Sequence, residues 1–354
     1  MDRQYYLDLA AGGLRMPIGT DLVLHEQPDP AEIILDGARL GEVMAEAARR
    51  YATPLAVPLM DLKLEKADLL LALGVPEAQV DTFHFAEAPA ERDLDTVRAA
   101  AQAPFSVRGQ AHIDSIRYIR ERTGLFPVGM AIGPFSLMTK LLADPITPIA
   151  MAGKGVSAAE DSGVLTVERC LALAEMAVHR SLRAQVAAGA RAVLVCEPAA
   201  NIVYLSPKQV ENGSDIFERF ALQPCLRLNA LLDAARADLI LHDCGDLTTF
   251  MVSEFAQRVH PAVLSLGSSR KLWEDAAVVP KDVVLYGNLP TKNFYSDAAL
   301  PLERVEELTR TLVARMREAG HPHILGSECD VLHVPEAADT IRRKVDAMLT
   351  CGRA

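Results

Sequence analysis

Leu239-Ile240-Leu241-His242-Asp243-Cys244-Gly245 is the stretch from which the rest of the chain can be read. An apolar run from Ala237 to Leu241 stops abruptly at an imidazole and a thiol. A buried strand that ends this way presents two soft ligands at one end of a sheet. His242 and Cys244 lie two positions apart, so on an extended backbone they face the same side. Imidazole and thiolate together suit zinc, which takes N and S ligands in tetrahedral geometry. Two ligands do not complete a site, and a third is expected at another strand end. The run His323 to Leu325, followed by Gly326-Ser327-Glu328-Cys329-Asp330, offers Cys329 in a matching context. Taken singly, a cysteine is most often a small buried hydrophobe. The recurrence of one context at two strand ends is what singles out His242, Cys244 and Cys329.

Outward from this stretch, short apolar runs recur at Leu55–Met60, Pro127–Ile132, Ala192–Cys196, Ala262–Leu266, Val283–Tyr286 and His323–Leu325, with a fainter run at Val80–Phe85. Helical patterns separate them. One starts at Asp29-Pro30 and runs to about Arg50, with proline in the first turn. Others cover Met60–Leu73, Leu94–Gln102, Val107–Arg122 with Gly124 as cap, and Phe135–Leu142. Beyond these come Thr166–Ala188 closed by Gly189, a short start at Ser206-Pro207, Leu222–Ala235, Leu247–Val259, Leu302–Ala319 closed by Gly320, and Pro335–Leu349. Residues 1–28 read as irregular, and 151–163 as a looser stretch.

Short continuous apolar runs alternating with helices imply parallel strands joined by crossover helices. The count and the length fit a (β/α)8 TIM barrel, α/β in class, forming a single domain over 1–354 with extra N-terminal helices. The competing architecture is an open doubly wound sheet. It loses its main support because no Gly-x-Gly-x-x-Gly follows a first strand.

Composition narrows the function classes. A net charge of −11 argues against a nucleic-acid partner, which requires a basic face. No stretch of about 18 uninterrupted apolar residues suggests a membrane span. Met1-Asp2-Arg3 opens without an apolar segment, so no secretory signal is expected. The cysteines, at 170, 196, 225, 244, 329 and 351, are scattered rather than arranged as a disulfide framework. A reducing cytoplasm is the expected location, and it keeps Cys244 and Cys329 available as thiolates.

In a barrel, reactive groups collect at the C-terminal ends of the strands. Those ends read Asp61, Gly133-Pro134, Cys196-Glu197, His242-Asp243-Cys244, Gly267-Ser268, Gly287-Asn288 and Glu328-Cys329. They are expected to meet at one mouth.

The motifs Gly133-Pro134-Phe135-Ser136-Leu137, Leu205-Ser206-Pro207-Lys208, His242-Asp243-Cys244-Gly245, Gly287-Asn288-Leu289 and Leu325-Gly326-Ser327-Glu328-Cys329 resemble, in order and spacing, those of the superfamily of uroporphyrinogen decarboxylase and the cobalamin-dependent methyltransferases. The resemblance covers about residues 30–349. In the methyltransferase branch a His-x-Cys and a distant Cys bind zinc, and His242, Cys244 and Cys329 stand in those places. The decarboxylase branch carries an Arg-Gln-Ala-Gly-Arg stretch for porphyrinogen carboxylates, whereas this chain reads Leu14-Arg15-Met16-Pro17-Ile18 there.

The resemblance therefore implies a zinc-dependent methyltransferase that moves a methyl group between a small substrate and the cobalt of a corrinoid. The substrate would be a methoxyl compound such as a phenyl methyl ether, as in O-demethylation, or a thiol. No Asp-x-His-x-x-Gly cobalamin motif is present, so the cobalamin is expected on a separate corrinoid protein docking over the mouth. Glu197 is the candidate for a displaceable fourth ligand or a substrate-positioning group. Asp243, on the opposite face from its neighbours, is expected in a supporting role. Asp61 and Asn288 are read as substrate-orienting or helix-capping, and Tyr204, Tyr286 and Tyr295 as packing residues or donors to an anion. The alternatives are metal-free decarboxylation of a tetrapyrrole, a zinc hydrolase on the same barrel, and a non-catalytic barrel that only docks a corrinoid protein.

Overall fold

Residues 3–352 are described by the structure, a computed structural model. The expected span of 1–354 includes residues 1, 2, 353 and 354, which lie outside the described residues. Eight strands follow in order: β1 (Arg15–Ile18), β2 (Leu55–Ala56), β3 (Phe126–Ile132), β4 (Ala192–Cys196), β5 (Asp238–Asp243), β6 (Val263–Leu266), β7 (Val284–Leu289) and β8 (His323–Asp330). From β2 to β8 each pairs in parallel with the next, and β8 pairs in parallel with β1.

No ladder joins β1 to β2 among the described residues. Side chains hold that seam instead: Thr20 Oγ1 donates to the Val57 carbonyl at 2.7 Å, and Thr53 Oγ1 to Met16 Sδ at 3.3 Å. The sheet still closes. Met16, Leu55, Val128, Leu194, Ile240, Val263, Tyr286 and Ile324, one from each of the eight strands, line a single internal cavity. This is the expected (β/α)8 barrel. The alternation that turns Ile240 inward turns Leu239 and Leu241 outward into the core beneath the helices. The helix Arg3–Ala11 covers the N-terminal end, where Tyr6 is fully buried and its hydroxyl donates to Asp238 Oδ2 at 3.1 Å.

Five readings are corrected. Val80–Phe85 is not a strand; it follows a 3-10 turn and packs its apolar side chains as loop, with Phe85 N–H bonded to the Leu141 carbonyl at 2.8 Å. The eighth strand is Arg15–Ile18, inside the segment read as irregular. Its polar first residue is explained by the final helix: Arg15 Nη1 donates to the Cys351 carbonyl at 2.6 Å. The helix expected from Asp29 to Arg50 is split into Pro30–Ile33 and Gly37–Arg50, with Asp36 capping the second piece through Ala38 and Arg39 amides. Gly124 is not a cap, since the helix Val107–Arg122 leaves through an extended Thr123. The looser stretch at 151–163 begins with the end of a helix, Ile146–Ala152. No helix among the described residues is long and apolar enough to cross a membrane.

A polar clamp fixes β3 to the long helix Ser162–Ala188. Gln185 accepts from Met130 N–H at 2.8 Å and donates to Met130 O at 2.9 Å, while Ser181 Oγ donates to Glu65 Oε1 at 2.8 Å. Gly129 makes room for this, because a Cβ there would lie 2.3 Å from Gln185 Oε1. Burial pushes the Glu65 carboxyl up to about 7, against the opposing hydrogen bond from Ser181. A carboxyl raised in the folded state contributes stability that is complete below its ordinary range near pH 4.5 and lost as pH rises through about 7. Glu65→Gln is therefore expected to flatten the pH dependence between pH 5 and 8, with the variant gaining about 1–3 kcal/mol relative to wild type across that window. Urea unfolding at several pH values measures this, and parallel curves would remove Glu65 as the cause.

Candidate metal centre

β5 ends in His242 and Asp243, Cys244 follows, and Cys329 is the penultimate residue of β8. One ligand atom from each of His242, Cys244 and Cys329 lies within 4.8 Å of the other two. The barrel thus brings the three expected residues together at its C-terminal mouth. His242 is 1% exposed, and both cysteines are half-buried. Its Nδ1 sits 2.8 Å from Ser265 Oγ, the residue paired with it in the β5–β6 register. That contact fixes the ring and leaves Nε2 buried without a partner. A buried, unpaired imidazole nitrogen costs free energy unless something else satisfies it.

The sulfurs of Cys244 and Cys329 are 3.7 Å apart. That is too long for a disulfide, in which the separation is about 2.05 Å. Two sulfurs on one tetrahedral zinc, each about 2.3 Å from the ion, would be about 3.8 Å apart. The orphaned Nε2, the sulfur separation and the N,S,S donor set all fit zinc. A hydrogen bond from Cys329, aided by His242 and Lys292, pushes the Cys244 thiol far down despite burial, while Cys329 is held up. Burial opposes the charge of Lys292, yet Cys244, Cys329 and Glu328 hold its ammonium above the ordinary range. Met60 Sδ stands 4.0 Å from Cys329 Sγ and walls one side.

Glu197 is elsewhere. It is fully buried, and its Oε1 and Oε2 accept from Phe135 N–H at 3.0 Å and Ser136 N–H at 2.8 Å. It therefore occupies the first turn of the helix Pro134–Thr139, where the exposed amides and the helix dipole favour an anion. Gly133 is bare because a Cβ there would lie 2.1 Å from Glu197 Cδ. Burial pushes this carboxyl up to about 7. The reading of Glu197 as a displaceable ligand is corrected: alternation along β4 turns it away from the mouth, and backbone amides occupy both oxygens.

Asp243 also faces away, as expected, and accepts from Gly245 N–H at 2.8 Å. Glu328, on β8, ties down two loops, accepting from Ser268 N–H at 3.1 Å, Ser268 Oγ at 2.6 Å and Lys292 N–H at 3.4 Å. Asp61 accepts from Lys63 N–H and pairs with Arg108 at 2.5 Å. Asn288 donates to the Gly267 and Arg270 carbonyls, which makes it a loop tie. Tyr204 packs edge-on against Phe135, Tyr286 donates to the Met16 carbonyl inside the barrel, and Tyr295 is exposed. Ser265, Met60 and Lys292 were not singled out from the sequence. Ser265 left a signal, as the one polar residue inside the run Ala262–Leu266; the other two left none.

Residues 25–349 match the uroporphyrinogen decarboxylase (URO-D) family. Among solved structures, a methyltransferase from Methanosarcina mazei has a TM-score of 0.65 at 16% identity, covering 95% of this chain and 93% of that one. At that identity the likeness speaks to the fold alone. No curated protein matches the chain.

Ser265→Ala removes the contact that aims His242. The variant is expected to fold normally and to bind zinc about 10–100-fold more weakly. Competition against a chromophoric chelator measures this, and unchanged affinity would show that Ser265 does not set the ring.

Proposed function

From the premise that the chain belongs to the uroporphyrinogen decarboxylase (URO-D) family, we propose that it is a zinc-dependent methyltransferase acting between a small substrate and a corrinoid carried on a separate protein. The observation that carries this reading is the convergence of His242 Nε2 and the Cys244 and Cys329 sulfurs, with Nε2 buried and unpaired. The Methanosarcina mazei neighbour, named as a methyltransferase, agrees with it. The cytoplasm is the proposed location, where the thiols stay reduced.

His242, Cys244 and Cys329 would hold the zinc, with Ser265 fixing the imidazole. Bound there, the ion would supply Lewis acidity, which holds a substrate thiol as thiolate or polarises an ether oxygen. Three protein donors leave one position for substrate. Met60 and the apolar barrel interior keep the inner side of the site dry, so the substrate enters from the rim. A methoxyl compound such as a phenyl methyl ether, or a thiol, meets these demands. Metal-free decarboxylation of a tetrapyrrole is disfavoured. It calls for free arginines at the mouth, and Arg108 and Arg270 are tied to Asp61 and Asp275.

The rim suits a protein partner. Among the described residues, the exposed large apolar side chains are those of Leu35, Val107, Ile146, Ile202, Val203, Phe250, Tyr295 and Leu332. Of these, Ile202, Val203, Phe250, Tyr295 and Leu332 lie in the connection that directly follows a strand end, or in the first turn of the helix after it. With all strands parallel, these positions belong to the end of the barrel that carries the three ligands. Apolar side chains gathered on one face mark an interaction surface, here assigned to the corrinoid protein.

Protein purified without added zinc is expected to hold about one zinc per chain, since three-ligand sites of this type bind one ion. Cys329→Ala should lose the zinc and with it methyl transfer between methylcobalamin and substrate. Metal-free wild type, or transfer that survives in the variant, would overturn the proposal. Val203→Asp combined with Leu332→Asp is expected to raise the KM for the corrinoid protein at least tenfold, roughly the effect of losing a hot-spot contact. Steady-state kinetics with varied corrinoid protein reads it, and an unchanged KM would move the docking surface elsewhere.

A further inference from the structure

Two thiols that the proposed function uses only as ligands also stand close enough to react with each other. Cys329 lies inside β8, and Cys244 directly follows β5. Both are half-buried at the mouth, where a small solute can reach them. Their sulfurs are 3.7 Å apart and a disulfide needs about 2.05 Å, so the gap to close is roughly 1.7 Å. On the other side of Cys329, Met60 Sδ stands 4.0 Å away and is a second oxidisable neighbour.

The other four cysteines are set apart from this pair. Cys170, Cys196 and Cys225 are fully buried, and burial pushes their thiols up, which keeps them protonated and shielded. Cys196 pairs with His242 in the β4–β5 register, yet it is sealed in the barrel core. Cys351 Sγ meets Arg310 Nη1 at 3.0 Å and the Glu306 carbonyl at 3.7 Å, beside the last helix. When a thiolate is oxidised to a sulfenic acid, a thiol in contact with it captures the product as a disulfide before further oxygen adds. Cys244 and Cys329 meet that condition of contact.

We propose that Cys244 and Cys329 form a reversible oxidation site, at which a hydroperoxide joins the two sulfurs as a disulfide and abolishes metal binding. In the first step the Cys244 thiolate attacks one peroxide oxygen. The O–O bond breaks, the sulfur becomes a sulfenic acid, and the second oxygen leaves as hydroxide. The Cys329 thiolate then attacks the Cys244 sulfur. The S–S bond forms, the S–O bond breaks, and a second hydroxide leaves. Two protons from solvent turn both hydroxides into water, and two electrons have passed from the sulfurs to the peroxide. Thiolates bind metal and disulfide sulfurs do not, so His242 is left as the one donor. A dithiol reductant reverses the change, as expected of the transient disulfides found in reducing compartments. The pairing stands on the sulfur geometry alone, and its effect on methyl transfer rests on the proposed zinc centre.

The test treats reduced wild type, as isolated and after stripping with a chelator, with one equivalent of hydrogen peroxide under anaerobic conditions. Remaining thiols are capped with N-ethylmaleimide and the peptides are read by non-reducing mass spectrometry. A Cys244–Cys329 cross-link is expected in both samples. The metal-loaded sample should release about one zinc per cross-link to a chromophoric chelator. Dithiothreitol should restore both thiols and zinc binding. Stripped Cys329→Ser, checked for folding by circular dichroism, should form no cross-link and instead carry a Cys244 sulfinic acid that dithiothreitol does not reverse. Oxygen added to Cys244, Cys329 or Met60 of wild type without a cross-link overturns the proposal, as does a cross-link from Cys244 to Cys196. A cross-link confined to the stripped sample overturns the regulatory effect, because the bound metal then protects the thiols. Wild type that carries no zinc as isolated and still cross-links upholds the pairing and overturns the zinc reading.

Discussion

Parallel strands in a closed ring force every strand-to-helix turn to one end of the barrel. The pleat then sorts side chains at that end between the interior and the helical shell. These two constraints build the centre. β5 turns Ile240 and His242 inward and Asp243 outward, and Cys244 returns to the inward side. β8 delivers Cys329 from the far end of the sequence, and β6 delivers Ser265 opposite His242. No loop of unusual conformation is needed to bring the three ligands within 4.8 Å.

The same sorting decides the character of the site. Carboxylates stand beside reactive positions in the sequence: Glu197 after Cys196, Asp243 between two ligands, Glu328 before Cys329. Glu197 and Glu328 are bound to backbone amides of neighbouring loops, and Asp243 accepts from the Gly245 amide two residues on. A buried carboxylate left alone is strongly disfavoured, and two amides at a helix start offset much of that cost. Their second effect is chemical. With these carboxylates tied to the loops or turned away from the centre, the inward donors are one nitrogen and two sulfurs, a set that favours zinc over hard cations such as magnesium or calcium. The groups that hold the mouth loops in place thereby also keep hard ligands out of the centre.

Most of the barrel was legible because its strands are continuous apolar runs, buried on both faces. β1 was not, because Arg15 and Pro17 break the pattern and its pairing partner lies at the other end of the chain. The fainter run Val80–Phe85 shows the reverse: apolar side chains can pack as loop when no strand edge waits for them. Of the site, the three candidate ligands were legible through alternation. The role of Glu197 was not, although alternation already set it opposite Cys196. What decided its role was register: Cys196 pairs with His242, so Cys196 occupies the ligand side. Register is a long-range property that a single sequence does not display. Lys292 sits on a short turn without periodicity, where only the folded chain shows what lies beside it.

Space within the barrel constrains how substrate and partner share the centre on the methyl-transfer reading. Beneath the ligands the interior cavity is only about 30 Å³ and is lined almost wholly by apolar side chains. The cavity is walled by residues of all eight strands and offers no polar group but those of Ser265 and Tyr286 to hold a substrate away from the ligands. Both reactants must enter through the same mouth. The exposed apolar residues Ile202, Val203, Tyr295 and Leu332 stand in connections that leave strand ends at that mouth, and a protein seated on them would cover the entrance. A small substrate arriving after such a partner would find its path closed. The geometry therefore favours an order in which the substrate binds first and the corrinoid protein closes over it. That order also excludes water from the reacting atoms at the moment of transfer, where a low dielectric strengthens each electrostatic contact with the substrate.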